Sequence, residues 1–201
     1  MKTAFTDQES GKMELLELLK EKYNCEFVMV KNEKYNKQGL INSYSCIAAP
    51  KENVNQEFNA VVTSNGQLKD DFSLWLFWND LIKKGELLIE NGDDIETYKV
   101  IPEMGVSEKK WDLQCSLNQF IQESNAYLIL EIQLKDTIME SEYVNTIETI
   151  LQKMYNQDIS LEVRIDSSDG NIFWQTISPN MEPFSDEYIR DAIETAIDSR
   201  F

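Results

Sequence analysis

Asp71-Phe72-Ser73-Leu74-Trp75-Leu76-Phe77-Trp78-Asn79-Asp80-Leu81-Ile82 is the densest run of apolar and aromatic side chains in the chain. Its spacing decides between strand and helix. Leu74, Trp78, Leu81 and Ile82 recur at i, i+4, i+7 and i+8, one side of a helix. Asp70 and Asp71 supply negative charge where a helix N-terminus favours it. Lys83-Lys84 followed by Gly85 reads as a charge-matched end with a C-cap glycine. Phe72, Trp75, Leu76 and Phe77 widen the stripe, so the helix needs cover on more than one side. The plain reading is a core helix; the functional alternative is an aromatic groove at Trp75 and Trp78 offered to a ligand or surface.

Toward the N-terminus, Thr6 to Tyr23 predicts a helix with Leu15, Leu16, Leu19 and Tyr23 on one face. It starts either at a Thr6-x-x-Glu9 capping box or later, at Ser10. Strands follow at Glu26 to Lys31, Ser43 to Ala49 and Val54 to Thr63, with Asn32 to Gly39 as a turn or loop and Ser64-Asn65-Gly66 as a closing turn. The first half is then α-β-β-β-α, an antiparallel meander with its helices on one face.

Toward the C-terminus, Glu90 to Lys110 contains Asn91-Gly92-Asp93-Asp94 and Pro102-Glu103-Met104-Gly105 and reads as a connection, with a strand signal only at Tyr98 to Ile101. A helix is predicted over Ser107 to Glu123 from Leu113, Leu117, Phe120 and Ile121. Tyr127 to Lys135 alternates cleanly and predicts a strand, and Glu142 to Tyr155 predicts a helix. Ile159 to Asp166, the turn Ser168-Asp169-Gly170-Asn171 and Ile172 to Ile177 form a hairpin. Ser185 or Asp186 caps a last helix bearing Tyr188, Ile189, Ala192, Ile193, Ala196 and Ile197. This half is α-β-α-β-β-α with a mixed sheet, because a helical crossover between strands makes a parallel pair. The fold class is thus α+β in two small subdomains, residues 1-89 and 111-201, joined by 90-110. One continuous sheet shared by both halves is the alternative.

Lys20-Glu21-Lys22-Tyr23-Asn24-Cys25-Glu26-Phe27, Ala49-Pro50-Lys51 and the Trp75 helix resemble a loose family of uncharacterised proteins from Gram-positive bacteria, over about residues 10 to 85. There a helix ending in a similar run enters a three-stranded sheet closed by a tryptophan-bearing helix; Asn24-Cys25 here replaces the usual Gly-Glu. The resemblance implies a fold and a mobile-element or surface context. It carries no activity and no catalytic residues.

At 201 residues and 42% apolar content the chain is long enough to build a core. Nineteen basic against thirty-six acidic residues leave a net charge of -17, which opposes direct binding to nucleic acid or to an anionic membrane and favours a basic protein partner. The chain contains no histidine. That removes Ser-His-Asp and Cys-His catalysis, histidine-ligated zinc and histidine pH sensing from this polypeptide. Phosphate-cradling and metalloprotease motifs are absent from the sequence, and no cofactor or metal is expected. Cys25, Cys46 and Cys115 match no zinc spacing; Cys25 and Cys46 are expected as free thiols, with a bond conceivable only if strand register opposes them. No apolar run is long enough to span a membrane, and Met1 to Asp7 lacks the apolar core of a signal peptide. The expected location is cytoplasmic as given, or secreted or lipid-anchored if an upstream leader has been removed.

The function expected from these features is a non-enzymatic acidic protein-binding module, an inhibitor or immunity-type factor covering a basic site on a partner. Candidate residues for the acidic face are Glu131, Glu162, Asp186, Glu187, Asp191 and Glu194. The enzymatic alternative uses paired carboxylates among Asp70, Asp71 and Asp80. Asp93, Asp94 and Glu96 lack the regular ligand order of a calcium loop, and Cys115, expected on the polar side of its helix, has no histidine to activate it.

Overall fold

A computed structural model describes residues 5-38, 41-90, 92-112 and 114-199; the readings placed on Met1 to Ala4, Gly39, Asn91 and Leu113 lie outside the described residues. The protein is α+β. Among the described residues it has five α-helices and two sheets of four strands each. The chain folds as two compact units, Met1–Leu76 with Met104–Cys115, and Phe77–Glu103 with Ser116–Phe201.

In the first unit, α1 (Gln8–Tyr23) begins at Asp7, whose Oδ1 accepts the Ser10 N–H at 2.8 Å, and ends at Asn24 in the left-handed region with φ 56°. The start thus lies between the two that the sequence offered. The antiparallel sheet runs in the order β1 (Phe27–Gln38), β2 (Ile41–Pro50), β3 (Phe58–Thr63), β4 (Leu68–Asp70). Asn32 to Gln38, expected as a turn or loop, continues β1. Register shifts between Met29 and Lys34, with Asn32 at φ 59°, let these polar residues stay in the ladder. β4 escapes sequence reading because its three residues are too few to show a period. Leu15 and Leu19 of α1 are fully buried in one core with Tyr44, Phe58 and Phe72. Phe72 packs edge-on against Tyr23 and Phe27, with ring centroids at 4.8 and 5.2 Å. Cys25 and Cys46 are free thiols. Phe27 pairs with Pro50, so Cys25 lies beyond that end of β2 while Cys46 faces Ala60 of β3. Burial pushes the Cys46 thiol up to about 11.

The aromatic helix α2 (Leu74–Ile89) departs from expectation at its C-terminal end. It starts just after the Asp70-Asp71 pair, the Leu74 N–H donating to the Asp71 carbonyl at 3.0 Å, but it runs through Gly85 instead of stopping there. Gly85 is a packing glycine: a Cβ at this position would lie 2.5 Å from Val100 Cγ1 and 3.2 Å from Leu128 Cδ1. Most of the helix serves the second unit, where Phe77 stacks on Phe120 at 4.2 Å. Gly85→Ala gains about 1 kcal/mol of helix propensity but forces overpacking that costs about 1–3 kcal/mol. The expected outcome in urea unfolding is a net loss of up to about 2 kcal/mol; a stabilised variant would contradict the packing role.

The second sheet runs β5 (Ile95–Glu103), β6 (Tyr127–Leu134), β7 (Ser160–Ser167), β8 (Gly170–Ile177); β6 and β7 are parallel and the other pairs antiparallel. Residues 90-110 are therefore not a single connection. Ile95–Glu103 is an edge strand, where Pro102 is tolerated. The helix expected from Ser107 begins only at α3 (Leu117–Ser124), capped by Ser116, because Ser107 exchanges backbone hydrogen bonds with Asp70. Cys115 thus precedes the helix rather than lying on its polar side. The crossover from β6 to β7 carries a short 3-10 turn, Glu140–Glu142, and α4 (Tyr143–Gln152), whose Ile147 and Leu151 are fully buried. Leu128, Leu130, Ile132 and Leu134 of β6 are buried as the alternation predicts, and fully burying such a side chain contributes about 1.5–3 kcal/mol. The last helix, α5 (Asp186–Asp198), is capped by Ser185 and buries Ile189 and Ile193. No helix among the described residues is long and apolar enough to cross a membrane.

Candidate functional site

Two arrangements carry polar chemistry. The first is interior to the first unit. Asp70 ends β4, and its carboxylate accepts hydrogen bonds from Tyr23 Oη at 2.7 Å, the Phe72 N–H at 3.1 Å and Lys22 Nζ at 2.9 Å. The Asp70 side chain is wholly buried and that of Lys22 is 13% exposed. Lys22 Nζ also donates to the carbonyls of Ser107 and Lys109 at 3.5 and 3.3 Å. Ser73 Oγ lies 3.2 Å from Tyr23 Oη and accepts the Trp111 N–H at 3.3 Å. Asp71 faces other partners, accepting from the Asn59 N–H at 2.6 Å and Asn59 Nδ2 at 2.8 Å. Burial pushes the Tyr23 phenol well above its ordinary range, reinforced by the Asp70 charge. Burial also raises the Asp71 carboxyl against the opposing pull of its Asn59 hydrogen bonds.

This cluster ties residues 104-115 to the first unit. The carboxylates of Asp70 and Asp71 are engaged by separate sets of protein donors, which is the arrangement of an internal staple, and Asp80 is exposed on α2. Asp93 and Asp94 support β6 through their main chain, since their carbonyls accept from Lys135 Nζ and the Lys135 N–H respectively.

The second arrangement lies on the second unit. Directly paired residues share a sheet face, so Lys99, Glu131, Arg164 and Trp174 form one cross-strand row. Glu131 is paired with Lys99 at 3.7 Å, while Arg164 Nε meets Asp166 at 3.2 Å. Glu162 accepts the Trp174 indole N–H at 2.9 Å. Asp186, Glu187, Asp191 and Glu194 are exposed on α5. At 3.6 residues per turn, Glu187, Asp191, Glu194 and Asp198 align in one stripe, and Tyr188, Ala192, Thr195 and Ser199 form the stripe beside it. That second stripe borders a cavity of about 430 Å³ against β8, lined also by Asn171, Trp174, Gln175 and Asp191. Trp174 is 62% and Tyr188 41% exposed.

The six predicted acidic residues are thus divided between the sheet, where Glu131 is neutralised by Lys99, and α5. Trp174 and Tyr188 were not among the predicted site residues. Phe173, Gln175 and Ile177 share the inward face, which leaves Trp174 beside Arg164 and Glu162; the irregularity opposite Ile165 and Asp166, which buries Ile172 on the parity of Trp174, blurs that signal in the sequence. Trp75 and Trp78 fall in different units. Trp75 donates its indole N–H to the Glu57 carbonyl at 3.0 Å and packs against the first core, whereas Trp78 belongs to the second unit.

No family model matches the chain, and no curated protein matches it. Among solved structures the chain is similar to a DUF5037 family protein from Ruminococcus gnavus ATCC 29149, with 14% sequence identity over 90% of this chain and 98% of that chain and a TM-score of 0.46.

Proposed function

We propose that this protein is a non-enzymatic acidic binding module, an inhibitor or immunity-type factor that covers a basic site on a partner protein. The observation that carries the reading is α5. Its thirteen residues hold five acids, Asp186, Glu187, Asp191, Glu194 and Asp198, against one base, Arg190. Among the described residues none of those five carboxylates makes an ion pair, whereas Glu131, Asp158 and Asp166 on the same unit each have a basic partner. Their charge is therefore available to an external cation, and a complementary basic surface gains both attraction and steered encounter.

The test is capture of a partner by the tagged full chain from nuclease-treated source-cell lysate at about 0.1 M and about 1 M salt, where the screening length falls from about 10 Å to about 3 Å. The expected result is one basic protein retained at low salt and released at high salt. A specific complex indifferent to salt would contradict the electrostatic reading.

A further inference from the structure

The cavity between β8 and α5 combines two features that a single ligand chemistry satisfies. Its walls are aromatic, Trp174 and Tyr188, and both are left partly in water although Phe173 of β8 and Ile189 of α5 beside them are fully buried. Aromatic walls with a few placed polar groups are the composition of a ligand-binding cleft. Both rings are held in place. The Trp174 N–H is engaged by Glu162, which leaves the indole face rather than its polar edge to act, and Tyr188 stacks on Phe184 at 4.7 Å with 10° between planes. Ala192, Thr195 and Ser199 keep the helical wall low.

The rim is acidic. Asp191 lines the cavity and makes no ion pair among the described residues, and Glu187, Glu194 and Asp198 continue its stripe. An anion is repelled here, and a neutral apolar group uses the aromatic walls but leaves the carboxylate unanswered. A planar cation uses both. A guanidinium stacks on an aromatic face and donates two parallel hydrogen bonds to a carboxylate; an ammonium offers only a point charge. We infer that the β8–α5 groove receives an arginine side chain of the basic partner, with the guanidinium on the Trp174 indole and the Asp191 carboxylate as its counter-ion. This inference rests on the acidic-module reading and specifies its contact.

The test uses the full chain labelled with 15N and two blocked tetrapeptides, Gly-Arg-Arg-Gly and Gly-Lys-Lys-Gly, titrated at low salt. The indole signal missing from the Trp174→Ala spectrum identifies Trp174. The arginine peptide is expected to shift that signal and to bind about fivefold or more tightly than the lysine peptide. Trp174→Ala is expected to erase the preference and weaken arginine-peptide binding about five- to tenfold, and Asp191→Asn to weaken it similarly. Because Trp174 is mostly exposed, the alanine variant should melt as the parent does. Equal binding of the two peptides, or an arginine preference that survives Trp174→Ala, would overturn the groove. The same outcome with salt-sensitive partner capture intact would overturn the groove while leaving the acidic module standing.

Discussion

Asp70→Ala is expected to lower the stability of the protein by about 3–5 kcal/mol, the cost of stranding one partner of a buried ion pair. Lys22 is only 13% exposed at its side chain, and Asp70 is fully enclosed. Removing the carboxylate leaves the Lys22 ammonium without its anion and the Tyr23 hydroxyl without its nearer acceptor, while the Phe72 N–H loses a side-chain partner. Each lost bond to a charged group is worth about 1.5–3 kcal/mol, and the enclosed site offers little water in replacement. Urea unfolding of the variant measures the loss. Asp70→Asn keeps the shape and one acceptor but not the charge, so it should fall between the two. A loss below about 1 kcal/mol would mean that Lys22 reaches solvent and that the cluster does not hold residues 104-115 in place.

What the sequence made legible was what depends on local period. The alternation of Leu128, Leu130, Ile132 and Leu134 places β6 and its buried face, and the Ser168-Asp169-Gly170-Asn171 turn places the hairpin that follows. The antiparallel first sheet and the mixed second sheet both follow from such patterns joined by the crossover rule. What escaped depends on partners distant in the chain. Lys83-Lys84-Gly85 has the composition of a helix end, yet Gly85 is required by Val100 and Leu128, which approach from β5 and β6. Ile95–Glu103 contains Pro102 and shows a strand signal only at Tyr98 to Ile101, so its full extent appears only in its pairing with β6. Asp70 looked like a helix-start charge because the three residues of β4 and the bridge to Ser107 leave no periodic trace.

The candidate surface shows the same division. Counting acids brought out Asp186, Glu187, Asp191 and Glu194, since charge is read directly from the chain. The aromatic half of the groove was hidden, because Trp174 and Tyr188 become neighbours only when β8 and α5 are folded together. Conversely, the tryptophans that stood out, Trp75 and Trp78, stood out through helical spacing, which is a signature of packing. A tryptophan on the outward parity of a strand is the more informative signal, because the core does not account for it.

If the acidic face of α5 holds the partner, reversing the charge of that face must release it. Replacing Asp186, Glu187, Asp191 and Glu194 together by lysine turns four attractive charges into four repulsive ones at exposed positions, where the fold makes no use of their carboxylates as ion-pair partners among the described residues. Like charges juxtaposed across an interface cost several kcal/mol, and each 1.4 kcal/mol is a factor of ten, so at least about a hundredfold loss of partner affinity is expected. Circular dichroism should show the variant folded, and urea unfolding a modest loss, because lysine in place of Asp186 and Glu187 in the first turn opposes the helix dipole at about 0.3–1 kcal/mol each, while the exchanges at Asp191 and Glu194 stay within about 0.5 kcal/mol each. Partner capture at low salt by the wild-type chain and its loss in this folded variant is the expected result. Capture undiminished by the four reversals would contradict a binding role for α5.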